Sequence, residues 1–373
     1  MALISFKRRR RGATHNLRML LFAAALALTI PFQFENNQIF VKVGINDAAP
    51  AWFLVDSGAG GSVIDTTTAR QLGIKTEGEA RGTGAGKGTY TVTFAKDVTY
   101  RLPGASFTVP SSYVVDFSAQ REIVERDVAG LLAYDFFMHY VVDIDFDAEV
   151  MTLYDPATFD PRGRGTIVPF RFVKKVPWIK LRVTLPRRKA VETEAMVDSG
   201  SQDAVDVAAM AQSPHHLEVT GGVGLGEEFR VTLGRAESVQ IGPYTMRGPI
   251  GGPGTTPLIG NEVLRRFHVI FDYPHQRLIL APNRHLHDAF DFDASGITVR
   301  RTRDLQDFVV HDAVAGSELK PGDVITHIDG QPSAAFTLQR FDRMMRRAGA
   351  EHRLTIRRGS ATLDVTVRLE RRL

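Results

Sequence analysis

Two acidic tripeptides, Asp56-Ser57-Gly58 and Asp198-Ser199-Gly200, each follow a pair of apolar residues, Leu54-Val55 and Met196-Val197. A single Asp-Ser-Gly is an ordinary turn sequence. Two copies at matched points of a duplicated unit would face each other across an approximate twofold axis and bring two carboxyls together. At ~3 Å and an effective dielectric near ~20, two negative charges repel by about 5.5 kcal/mol, or roughly four pKa units. Such a pair shares one proton. One carboxylate takes a proton from a bound water while the protonated partner donates to a carbonyl oxygen. That chemistry hydrolyses an amide without a metal or a nucleophilic side chain, and it suits a chain with no cysteine. Each glycine admits close backbone approach, and each serine hydroxyl can hydrogen-bond across the axis and brace the two loops.

The elements that would position these residues are duplicated. Pro31-Phe-Gln-Phe34 recurs as Pro169-Phe-Arg-Phe172, and Phe40-Val-Lys-Val43 as Trp178-Ile-Lys-Leu181. Leu54 to Gly58 recurs as Met196 to Gly200. Leu131-Leu-Ala-Tyr-Asp-Phe-Phe137 through Asp145-Phe146 recurs as Leu258-Ile-Gly-Asn-Glu-Val-Leu264 through Asp272-Tyr273. Four blocks in one order, with the spacing drifting only in loops, indicate two homologous lobes. They span residues 31–160 and 164–284 and meet at the Pro- and Gly-bearing stretch 155–165. Short runs of alternating apolar residues between turn signals make both lobes mainly β. Short helices are expected after Asp65 and Asp206, each an N-cap candidate, with Gly73 and Pro214 at their ends.

These motifs resemble the retropepsin-like aspartyl proteases. Members of that family carry hydrophobic-hydrophobic-Asp-(Thr/Ser)-Gly at the active site. Near the lobe end they carry a hydrophobic-hydrophobic-Gly segment whose strand passes behind the catalytic Asp. Leu131-Leu132-Ala133 and Leu258-Ile259-Gly260 match the latter, with Ala133 in place of the usual glycine. The resemblance covers roughly residues 31–284. It implies a fold of two retropepsin-like β-barrel lobes with pseudo-twofold symmetry, polypeptide substrates and no cofactor. Asp56 and Asp198 would be the catalytic dyad, supported by Ser57, Gly58, Ser199 and Gly200. Because one chain carries both halves, a monomer suffices for catalysis.

The same resemblance implies a flexible hairpin closing over the substrate in each lobe. Gly82, Gly84 and Gly86 are the candidates in the first lobe and Gly221, Gly222 and Gly224 in the second. A phosphate-binding loop is excluded for the first run, which has Arg81 where such a loop needs Gly and Gly88 where it needs Ser or Thr. Asp143, Asp145 and Asp147 alternate along one strand and read as a solvated face, without the glycine and terminal Glu of a calcium loop. His215-His216 and His285-Leu-His287 lack zinc-ligand spacing, so no metal site is expected.

Past Asp288 the composition changes. Leu319-Lys-Pro-Gly-Asp-Val-Ile-Thr-His-Ile-Asp-Gly330 resembles the corresponding stretch of bacterial PDZ domains, and residues 289–373 are read as a small α+β unit of that kind. Apolar residues at 338, 341, 344 and 345 give it one helix. PDZ domains add an extended peptide, often a C-terminus, beside an exposed strand edge. Gly296, Ile297 and Val299 are the groove candidates here. The segment before Leu319 is shortened to Gly316-Ser-Glu, so a purely structural unit stands as the alternative to peptide capture.

Residues 1–30 read as a signal peptide or signal anchor: a basic run, the apolar stretch 19–30, and Ala25-Leu26-Ala27 as a cleavage candidate. Six cations and no acid fall within the first 27 residues, so the formal charge of +4 belongs to this leader rather than to a nucleic-acid surface. Export to a periplasm or cell envelope follows, with membrane contact only through this segment. The reading from another class is a non-catalytic peptide-binding scaffold that keeps the same fold.

Overall fold

The computed structural model describes residues 27–82, 89–118, 121–220 and 230–373. Each of the four sequence blocks takes the same cross-strand partners in both halves. Phe40 pairs with Leu54 as Trp178 pairs with Met196. Leu54 lies beside Leu131 as Met196 lies beside Leu258, both in parallel register. Phe34 faces Ile39 as Phe172 faces Pro177. Pro31 faces Val150 as Pro169 faces Arg277. The repeat read in the sequence is therefore a repeat of pairing register, which fixes which side chains share a face.

In the first lobe, eight strands form one sheet. It closes on itself where Gly44 and Ile45 of the Gln38–Ile45 strand pair with Arg101 and Tyr100. The second lobe divides its strands between a seven-stranded and a three-stranded sheet.

A further six-stranded sheet joins the lobes, built from three strands of each: Leu28–Pro31, Val150–Tyr154 and Val141–Asp145, then Phe267–Asp272, Arg277–Pro282 and Thr166–Pro169. The seam is the antiparallel pairing of Val142, Asp143 and Ile144 with Phe271, Ile270 and Val269. One apolar cluster runs through both lobes beneath this sheet. In it Phe137 of the first lobe stacks on Tyr273 of the second, with ring centroids 4.9 Å apart. Stacked aromatic pairs add about 0.5–1.5 kcal/mol beyond the area they bury.

Two expectations change here. Residues 28–30, assigned to the leader, form the first strand of the joining sheet together with Pro31, with Ile30 fully buried; the cleavage candidate ends one residue ahead of it. Residues 1–26 of the proposed leader lie outside the described residues. Asp65 does cap the Thr66–Gln71 helix, accepting from Thr68 N at 2.9 Å. Asp206 caps nothing, because its carboxylate accepts instead from Gly252 N at 2.7 Å, and a 3-10 turn, Ala208–Gln212, follows from Val207. Among the described residues no helix is long and apolar enough to cross a membrane.

Residues from Ala294 on have their own apolar cluster. Five strands in the order Ile297–Arg301, Phe308–Ala313, Val324–Ile328, Glu351–Arg358 and Ala361–Arg368 carry the Leu338–Met345 helix, capped by the Thr337 hydroxyl on Arg340 N. The helical spacing at 338, 341, 344 and 345 matches this helix.

Candidate active site

Asp56 and Asp198 stand at the ends of the Ala51–Val55 and Val191–Val197 strands, where a parallel neighbour fixes each loop. Asp56 N donates to Leu132 O and Asp198 N to Ile259 O, both at 2.9 Å. These partners belong to the two apolar segments expected to pass behind the acids. The glycine at only one of their ends has a local cause. A Cβ on Gly260 would stand 2.5 Å from Asp203 O and 2.9 Å from Ser201 O, whereas Ala133 sits fully buried in the first lobe.

The serines join the two loops reciprocally. Ser57 N donates to Ser199 Oγ and Ser199 N to Ser57 Oγ, both at 2.9 Å. Ser57 Oγ in turn donates to Val197 O at 2.7 Å, and Ser199 Oγ to Val55 O at 2.9 Å. Both serines are completely buried. Four bonds among satisfied, solvent-free groups hold the loops in one geometry, since loss of either hydroxyl would strand buried partners. Two contacts not foreseen from the sequence hold the serine carbonyls. The Tyr273 hydroxyl donates to Ser57 O at 3.1 Å across the lobe boundary, and Asn261 Nδ2 donates to Ser199 O at 2.6 Å.

With the loops fixed, the carboxyls meet. Each is within hydrogen-bonding reach of the other, and each packs on the opposite glycine. A Cβ on Gly200 would lie 2.6 Å from Asp56 Cγ, and one on Gly58 would overlap Asp198 still more. Gly58 N donates to Asp56 Oδ1 at 2.8 Å and Gly200 N to Asp198 Oδ1 at 2.9 Å. Both acids are densely surrounded yet keep part of their surface open. Burial pushes the Asp56 carboxyl above the usual range, and burial together with the Asp56 charge pushes Asp198 well above it. The pair therefore keeps a proton above the pH at which an ordinary carboxyl loses it and behaves as one titrating unit.

Gly82 ends the Thr76–Gly82 strand, paired with Tyr90 of Tyr90–Leu102, which makes this segment a hairpin beside the site. A Cβ at Gly82 would stand 2.7 Å from Tyr90 Cζ, so the missing side chain gives the ring its place. Burial and then the Asp56 charge raise the Tyr90 phenol, which puts that ring near the dyad. Nothing in its sequence context marked it. Gly84 and Gly86, like Gly221, Gly222 and Gly224, lie outside the described residues. The strands flanking the second group, His216–Thr220 and Arg230–Arg235, do pair antiparallel.

The other candidates are placed as follows. Ile297 and Val299 are buried in the third unit's core, and Gly296 has φ +72°. The N–H of Gly296 donates to the Asp293 carboxylate at 2.6 Å, and the Arg372 guanidinium lies where a Gly296 side chain would be. A carboxylate and a guanidinium of the chain itself thus occupy this loop. Asp143 is not part of a solvated face. It is almost fully buried, bonded to His268 of the other lobe and 3.4 Å from Arg164. The strand ends at Asp145, Asp147 lies in the turn that follows, and the facing strand covers Asp143.

Asp206, packed beneath Gly252 and Gly254, is raised to about 7 by burial and by the Asp203 charge. A carboxyl raised on folding stabilises fully below its unfolded value near ~3.9, and the benefit disappears as pH rises through the folded value. Asp206→Asn, which keeps the acceptor for Gly252 N, is expected to stabilise the protein by about 2–4 kcal/mol at pH ~8.5 and to change little at pH ~4. Urea midpoints at the two pH values check this.

Residues 41–136 match a family model described as aspartyl protease. A crystal structure of aspartic proteinase from Irpex lacteus superposes over 70% of this chain and 99% of its own, at 14% identity and a TM-score of 0.46. No curated protein matches the chain. The matched segment, which contains Asp56-Ser57-Gly58 and Leu131-Leu132-Ala133, is thus similar to the aspartyl protease family.

Proposed function

We propose that the chain is an aspartic endopeptidase that hydrolyses peptide bonds with water activated by Asp56 and Asp198. The observation that carries this reading is the reciprocal serine network. It holds two proton-sharing carboxyls against each other at the open end of two strand loops. A recognition cleft has no use for two mutually repelling acids held so rigidly. In the reaction, the ionised carboxylate removes a proton from water as its oxygen bonds to the carbonyl carbon, and the protonated partner donates to the carbonyl oxygen. Collapse of the resulting diol with protonation of the amide nitrogen breaks the C–N bond and regenerates the shared proton.

Beside Asp56 lies an apolar wall of Leu54, Val63, Phe117, Val124 and Leu131, with Tyr90 and Ala59 partly exposed against it. The third unit, PDZ-like in sequence, serves recruitment or regulation. The leader directs export, and one chain is sufficient.

The test is hydrolysis of denatured casein from pH ~3 to ~7.5. Activity is expected to fall as pH rises through the elevated carboxyl value, because the dyad then loses its shared proton. Specific activity should stay constant on dilution. Absence of cleavage throughout that range leaves the non-catalytic scaffold as the better account, and a steep loss on dilution shows that two chains are required.

A further inference from the structure

Arg301 is a buried cation in the third unit, 5% exposed, with its guanidinium 4.2 Å from the Phe308 ring centroid. It donates to the carbonyls of Leu305 and Ser333. A carboxylate from another part of the chain meets it: Glu125 Oε1 of the first lobe lies 3.0 Å from Arg301 Nε, an ionic contact without hydrogen-bond alignment. The other oxygen, Glu125 Oε2, accepts from Leu338 N at 2.7 Å, the first N–H of the Leu338–Met345 helix. One side chain therefore spans the end of the third unit's edge strand and the start of its helix. A buried guanidinium deprived of a counter-charge is costly, and docking on the first lobe supplies the largest of those that act on Arg301, ahead of Asp307 and Asp304 of its own unit.

Glu125 directly follows the Arg121–Val124 helical turn and has φ +53°. Val124 is buried in the apolar wall that includes Leu54, Ala59 and Tyr90 beside Asp56. The same unit also holds the second lobe. Asp312 Oδ2 accepts from Thr220 Oγ1 at 2.5 Å and lies 3.3 Å from Arg230 Nη1. Thr220 and Arg230 are paired residues of the second-lobe hairpin. The Thr220 hydroxyl holds the Asp312 carboxyl below its usual range, so the acid is ionised at neutral pH.

We propose that the third unit is an intramolecular clamp whose binding partner is the protein's own pair of cleft walls, gripped through Glu125 on one side and Asp312 on the other. It holds the first-lobe turn and the second-lobe hairpin at a set separation, and releasing one grip loosens the other. The structural proposal does not depend on catalysis, although the walls it names are those of the proposed peptidase cleft.

The test is amide hydrogen exchange on the full chain carrying Glu125→Gln or Asp312→Asn, each made also with Asp56→Asn so that self-cleavage cannot contribute. Glu125→Gln is expected to raise exchange at least tenfold in residues 121–128 and 338–345, and also in the 216–220 and 230–235 strands that it does not touch. Asp312→Asn should give the reciprocal pattern, while the amides of Ser57 and Ser199 stay protected in both. Exchange that rises only next to the substituted residue, or nowhere, overturns the clamp whether or not the chain cleaves peptides.

Discussion

Asp56→Asn is expected to lower casein hydrolysis by at least about 10³-fold, and Asp198→Asn by a similar factor, within the range that a positioned acid or base contributes. An amide can neither remove a proton from water nor hold the shared one. The scaffold should tolerate either change. In Asp56→Asn the amide oxygen still accepts from Gly58 N, as the Asp56 carboxylate does at 2.8 Å, and the serine bonds involve no dyad atom. Removing one of two buried acids also removes their repulsion. The carboxyls are raised on folding, so their ionisation opposes folding as pH rises through the raised values. Each variant should therefore unfold at a higher temperature than the parent at pH ~8 and at a similar one at pH ~4. Thermal melts at both pH values, run beside the casein assay, separate lost chemistry from lost fold. Retention of more than a tenth of parent activity in either variant removes the dyad from the mechanism.

The second large effect comes from adding a single carbon. In Gly200→Ala the new Cβ lies 2.6 Å from Asp56 Cγ and 2.8 Å from both carboxyl oxygens, and Gly58→Ala crowds Asp198 more closely. Carbon and oxygen at such distances overlap, so the carboxyl must move. Behind it the buried serine network leaves no space for retreat. The carboxyls separate, proton sharing weakens, and misplacement by about an ångström costs on the order of 100-fold in rate. Overpacking of this kind costs about 1–3 kcal/mol, which leaves a folded protein for comparison. Turnover on casein within threefold of the parent for both alanine variants would show that the acids need no such contact.

How far the sequence discloses these features depends on which residues carry them. The meeting of Asp56 and Asp198 was legible because both Asp-Ser-Gly copies keep their spacing to flanking apolar blocks, and those blocks share pairing register. Tyr273 lies inside a recognised block, but its counterpart Phe146 has no hydroxyl, so comparing the copies concealed its bond to Ser57. The joining sheet escaped because alternating residues announce a strand without naming its neighbour. The pattern Val141 to Phe146 is equally compatible with water or with His268 against Asp143. Glu125 had no local signal at all: its role depends on Arg301, 176 positions away. Asp206 had the right type for a cap and the wrong environment, since the glycines at 252 and 254 offered closer contacts than the turn that follows it.

The joining sheet takes three strands from each half in mirrored order, yet its members are not copies: Asp143 stands opposite Ile270, and its carboxylate meets His268. A protein assembled from two identical subunits must place every substitution in both simultaneously. Here a change in one lobe leaves the other untouched. The covalent union thus frees the two lobes to diverge separately, and under the proposed function the two ends of a bound polypeptide can be selected by different rules.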